Sequence, residues 1–158
     1  MHTHFNFFFI NPPYEDSVLY AKQFNAKEDL LFDLGDISKM KPSHLLRVRY
    51  VFISHTHLDH FSGFPTFLRN ILKNSGSCVD FFGPAGFTEN FKGALHAYVW
   101  NLVHSYDIQF KVHEVCSDKI ISTLFDSKNV FRPQKLEEKP FKGFLLQEEF
   151  FCVKAQIL

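Results

Sequence analysis

Short apolar runs broken by glycine, proline or acidic clusters alternate along this chain with two stretches whose apolar positions recur every three or four residues. Residues 7–10 (Phe-Phe-Phe-Ile) form one such run, closed by Asn11-Pro12-Pro13, and read as a strand followed by a turn. Residues 18–24 read as a second strand, and residues 29–35 as a buried strand that ends at Gly35. Residues 37–46 suit a short helix or a loop, and residues 50–54 another buried strand. Phe64, Phe67, Leu68, Ile71 and Leu72 then repeat at i, i+3, i+4, i+7 and i+8, the apolar face of an amphipathic helix that residues 74–76 end. A strand at 79–82 is expected to stop at Gly83-Pro84. Thr88 suits the cap of a second helix, with Phe91, Leu95, Tyr98 and Leu102 facing inward.

Residues 108–115 alternate as a strand, with Ile108, Phe110 and Val112 on one face. Residues 124–131 carry no clear period. Residues 144–146 and 150–158 read as a terminal hairpin turning at Gln147-Glu148-Glu149. The order is strands, helix, strand, helix, strands. It predicts an α/β arrangement in one domain over residues 1–158, a mixed sheet with helices on one face.

Composition narrows the class. The chain has 158 residues, 17 acidic and 17 basic, so charge balance argues neither for nor against a polyanionic partner. Twenty-one phenylalanines favour strands and deep packing, and make any uncovered face adhesive. Cys78, Cys116 and Cys152 are odd in number and widely spaced, with no C-x-x-C, so no disulfide framework is expected; two of the three lie in apolar strand-like contexts, which suits buried free thiols in a reducing, cytoplasmic setting. The first residues lack the basic stretch of a signal peptide, and no apolar run approaches the length of a membrane span.

The chemistry concentrates at His55-Thr56-His57-Leu58-Asp59-His60, directly after a buried-looking strand. Alternate side chains at a strand end point the same way, so His55 and His57 can converge on one cation, while Asp59 and His60 fall where the chain turns toward a helix and can serve a second. Imidazole nitrogen and carboxylate oxygen are donors that zinc accepts. Burying such a cluster without a partner is costly, which favours metal binding over a solvated patch. Four local groups do not close two sites, so further ligands must come from elsewhere in the fold. Asp33 suits either a carboxylate that accepts from a ligand imidazole or one that ties down a strand-end loop. Ser54 and Thr56 read as turn hydroxyls. His2, His4, His44, His96, His104 and His113 read as ordinary satisfied polar residues.

H-x-H-x-D-H after an apolar strand resembles the metal-binding signature of the metallo-β-lactamase superfamily. Leu30-Leu31-Phe32-Asp33-Leu34-Gly35, residues 52–63 with their closing Gly63, Phe82-Gly83-Pro84-Ala85-Gly86 and residues 148–155 resemble successive segments of its ribonuclease Z branch, endonucleases that trim the 3′ end of precursor transfer RNA. The resemblance implies a four-layer αββα fold, of which this chain is roughly the amino-terminal half. It implies two Zn2+ ions, with His55 and His57 on one and Asp59 and His60 on the other. It also implies hydrolysis of a phosphodiester by metal-bound hydroxide, with Asp59 doubling as general base.

Two departures stand out. Asn11-Pro12-Pro13-Tyr14-Glu15-Asp16 occupies the place of the family's glycine-rich loop, which leaves room for a small ester, thioester, lactone or cyclic nucleotide as substrate instead of precursor tRNA. The family's third-motif histidine, bridging aspartate and last histidine have no counterpart up to Leu158, and His96, His104 and His113 precede the relevant strand. A truncated domain is therefore expected, inactive by itself and with one sheet face uncovered; a catalytically silent module is the alternative. No membrane partner is expected, and a homodimer is compatible with the reading.

Overall fold

The computed structural model describes residues 5–24 and 28–157. His2, His4 and Leu158 lie outside the described residues. Eight strands form one sheet in sequence order: β1 (Phe5–Phe9), β2 (Leu19–Gln23), β3 (Asp29–Phe32), β4 (Val48–Phe52), β5 (Ser77–Pro84), β6 (Ile108–Val115), β7 (Lys119–Asp126) and β8 (Pro133–Pro140). The central pairs β3–β4, β4–β5 and β5–β6 are parallel, and the outer pairs are antiparallel. The helices are α1 (Pro42–Leu45), α2 (Leu58–Phe61), α3 (Phe64–Ile71) and α4 (Phe87–His96). A separate hairpin, β9 (Phe144–Gln147) and β10 (Cys152–Lys154), follows the sheet. The α/β expectation of a mixed sheet with helices on one face is met. Among the described residues no helix is long and apolar enough to cross a membrane.

The main core lies between the sheet and the helices. Phe64, Phe67, Leu68 and Ile71 of α3 and Phe87, Phe91 and Leu95 of α4 are buried against Leu31, Val51, Phe81, Phe110, Val112 and Phe125 of the sheet. Phe91 sits at the centre, its ring within 6 Å of the rings of Phe64, Phe81, Phe87, Phe110 and Phe125. On the opposite face Ala21, Leu30, Tyr50, Phe52 and Phe82 form a second cluster, against which Leu145, Leu146, Phe151 and Val153 of the hairpin segment pack. The expected bare face is thus covered at its centre. It stays open at the β1 edge, where Phe7 and Phe9 are 62% and 82% exposed.

Several local expectations need correction. The inward face of α4 ends at Leu95. The helix stops at His96, and Tyr98 and Leu102 are exposed, because the chain turns away before their period returns to the sheet. Thr88 is not the cap: Gly86, at φ 85°, starts the helix, and the Thr88 N–H donates to the Glu114 carboxylate on β6 at 3.0 Å. Burial pushes the Glu114 carboxyl up, but the N–H groups of Gly86 and Thr88 outweigh it and hold the group below the ordinary carboxylate value. Gly83 and Pro84 do not stop β5 but form its last rungs, paired with Glu114 and Val115. The stretch without a clear period divides into the end of β7 and a turn of 3-10 helix at Ser127–Asn129. The beginning of β7, which carries Ile120 and Ile121, was not read as a strand, and β8, a fully exposed edge strand, has Leu136 as its one large apolar residue. The three cysteines are free but not buried: Cys78 and Cys116 are half-buried and Cys152 is exposed.

One polar row crosses the second face. Arg49 pairs with Asp80, whose other oxygen lies 2.9 Å from His113 Nε2, and His113 Nδ1 lies 2.9 Å from the Ser122 hydroxyl. Each buried polar group there has a partner, so His113 is a satisfied structural residue, as expected.

Candidate metal centre

Parallel pairing of β3 with β4 brings two strand ends to one edge of the sheet, so Asp33 and Ser54 become neighbours although far apart in sequence. The carboxyl ends of parallel strands are where open α/β sheets commonly place their ligands. Asp33 adopts φ 58°, a left-handed conformation that aspartate tolerates better than most residues. Its N–H donates to the Phe52 carbonyl at 2.8 Å. Asp33 Oδ1 accepts from the Ser54 N–H and the Ser54 hydroxyl, both at 2.8 Å, and Oδ2 lies 2.8 Å from His60 Nδ1. Asp33 therefore ties down the loop and faces an imidazole of the motif.

Backbone contacts fix the rest of the loop. The Asp59 carbonyl accepts from Ser17 N–H at 3.0 Å, and the His60 carbonyl from Leu34 N–H at 2.8 Å. This close approach needs two glycines. A Cβ on Gly35 would meet the Asp59 carbonyl oxygen at 2.3 Å, and one on Gly63 would meet the Gly35 carbonyl oxygen at 2.1 Å. From the other side, Asn90 of α4 donates to Thr56 Oγ1 at 2.8 Å.

The donor atoms come together in pairs. His55 Nε2 lies 3.0 Å from His57 Nδ1. His60 Nε2 lies 3.3 Å from Asp59 Oδ2. Two nitrogens bound to one tetrahedral zinc at roughly 2.0–2.1 Å stand about 3.3 Å apart, so both spacings are close to those of shared ligands. His55 and His60 also approach each other, with ring centroids 4.0 Å apart. Among the described residues, however, no three His, Cys, Asp or Glu side chains are gathered around a point that could hold a metal ion. The donor types suit zinc, but each pair falls short of the three protein ligands of a catalytic zinc.

Among the described residues, His44, His96 and His113 find their partners away from this cluster. His44 stacks on Tyr20, and His96 Nε2 lies 3.2 Å from the Phe131 carbonyl. Sequence reading missed the part played by Ser54. Its hydroxyl lies within hydrogen-bond distance of Asp33, His55 and His60, and the only available signal was its place between the strand and the first histidine. Beside Asp33 and Ser54 opens a mainly apolar cavity of about 870 Å³, walled by Phe52, Phe82, Leu145 and Val153.

No known protein-family model matches the chain. Two curated proteins do. A ribonuclease Z of Methanococcus maripaludis is 28% identical over 128 residues, covering 78% of this chain and 36% of the relative. A ribonuclease Z of Deinococcus radiodurans is 25% identical over 151 residues, covering 92% of this chain and 46% of the relative. The chain thus spans less than half the length of either relative. Among solved structures, the short form of human tRNase Z superposes with a TM-score of 0.43 at 16% identity, over 75% of this chain and 58% of that one. The metallo-β-lactamase-fold protein YhfI of Bacillus subtilis gives 0.46 at 14% identity, over 77% and 54%. In sequence the chain is ribonuclease Z-like.

Proposed function

We propose that this chain carries one half of a two-metal hydrolase centre, and that the complete protein is a phosphodiesterase that removes the 3′ trailer of precursor transfer RNA. The observation that carries the reading is the pairing of His55 Nε2 with His57 Nδ1 and of His60 Nε2 with Asp59 Oδ2 at ligand-like separations. His55 and His57 would hold one zinc ion, and Asp59 and His60 the other. Two bound zinc ions supply an activated water near neutral pH and positive charge against the reacting phosphoryl oxygens. Asp59, exposed at the rim, would serve as the general base. Asp33 holds His60 from behind, leaving its Nε2 directed toward Asp59. The donors that complete each site are assigned to residues outside these 158, in keeping with the greater length of the matched relatives.

A second reading, hydrolysis of a small ester or phosphodiester, draws on the loop beside the motif. Asp16 accepts from Ser62 at 3.1 Å, and Glu15 and Asp36 line the same depression, an acidic border that RNA phosphates would not favour. The test uses the intact protein, metal-stripped and zinc-loaded, on a precursor tRNA. Zinc-dependent release of the 3′ trailer, lost in His57→Ala and in Asp59→Ala, supports the proposal. Equal turnover by metal-free protein overturns it. Binding that weakens steeply with salt separates the RNA substrate from a small one.

A further inference from the structure

Proton accounting around Ser54 gives its hydroxyl a definite task. The Ser54 Oγ carries one proton and lies 2.8 and 3.0 Å from the two oxygens of Asp33, which as a carboxylate only accepts. The proton therefore goes to Asp33, and Ser54 Oγ faces His55 Nδ1, 3.0 Å away, as an acceptor. His55 Nδ1 must then be the protonated ring nitrogen, which leaves Nε2 with a bare lone pair. His60 Nδ1 faces Asp33 Oδ2 at 2.8 Å and its Nε2 faces Asp59 Oδ2 at 3.3 Å, an acceptor at each nitrogen, so the same accounting fixes His55 and not His60. The bare His55 Nε2 is the atom that points at His57.

We infer that Ser54 is a positioning residue that sets the tautomer of His55, so that His55 presents an Nε2 lone pair to a metal ion. The inference rests on the metal-centre reading for its purpose but not for its test. A neutral histidine with no partner at Nδ1 favours the Nε2–H form, so without the hydroxyl the His55 lone pair moves to the wrong nitrogen.

The experiment records nitrogen-15 imidazole spectra of the intact, metal-free protein near pH 8.5, well above the ordinary imidazole pKa of about 6.5. His55 is expected as the Nδ1–H tautomer. Ser54→Ala moves His55 toward Nε2–H and weakens zinc binding in calorimetry by about 10–100-fold, and Ser54→Thr, which keeps the hydroxyl, restores both. His55 found mainly as Nε2–H in the unsubstituted protein overturns the inference without recourse to any variant. So does a Ser54→Ala spectrum unchanged at His55. A protein that binds no zinc, yet whose His55 tautomer still depends on Ser54, refutes the metal-centre reading while supporting this role.

Discussion

His60 Nδ1 lies 2.8 Å from Asp33 Oδ2, a contact between residues 27 positions apart. It exists because two parallel strands finish side by side, and because Asp33 adopts a left-handed backbone that sends its carboxylate across to the next loop.

Asp33→Asn separates charge from conformation. Asparagine also tolerates φ near +58°, so the loop should keep its shape while the carboxylate loses its ability to accept from His60 and Ser54 together. Zinc affinity is expected to fall about 10–100-fold with the thermal midpoint nearly unchanged. Asp33→Ala should lose the same affinity and about 1–2 kcal/mol of stability besides, read by denaturant unfolding.

Gly63→Ala and Gly93→Ala should act in opposite directions. Gly63 has an ordinary helical backbone at φ −74°, so its glycine is required by space rather than by conformation. A methyl group there strikes the Gly35 carbonyl oxygen, and a loss of about 1–3 kcal/mol is expected, with the motif loop displaced. At Gly93 in α4 a methyl group meets nothing within 4 Å, and a gain of roughly 0.5–1 kcal/mol is expected. Urea titrations of the two variants check both signs.

Phe91→Ala removes the ring around which five other phenylalanines pack within 6 Å, and should cost about 3–5 kcal/mol. Leu102→Ala, at a 68% exposed position beyond the end of α4, should stay within about 0.5 kcal/mol. Equal losses at the two positions would contradict the helix end described above.

Glu114 links the start of α4 to pH. Its carboxyl is held below the ordinary value when folded, so the folded state binds fewer protons there than the unfolded chain does near pH 4. Its contribution is complete above the unfolded pKa of about 4.3 and is lost as pH falls through the lower folded value. Glu114→Gln is therefore expected to lower the thermal midpoint at pH 7. The gap should close in acid below that folded value, as followed by circular dichroism.

The match between pattern and structure follows the range of the forces involved. The apolar face of α3 is a period of side chains on one element, and it is buried as its spacing implies. The strand at residues 108–115 likewise announced itself by alternation. The edge strand β8 is exposed on both faces, so no alternation marks it, and only its pairing with β7 makes it a strand. The inward reading of Tyr98 and Leu102 extended a period past the point where the helix stops.

By itself the sequence determined that four donor groups stand together after a buried strand, because adjacent residues cannot separate. It determined the apolar face of α3 and most strands as well, because the period of the side chains on one element marks which of them can leave water together. Only the tertiary structure brought the Asp33 carboxylate and the Ser54 hydroxyl against the imidazoles of His55 and His60, since these contacts need two strand ends that are far apart in sequence. It alone decided why Gly35 and Gly63 are glycines, since each is crowded by a backbone that the chain reaches only after folding back on itself.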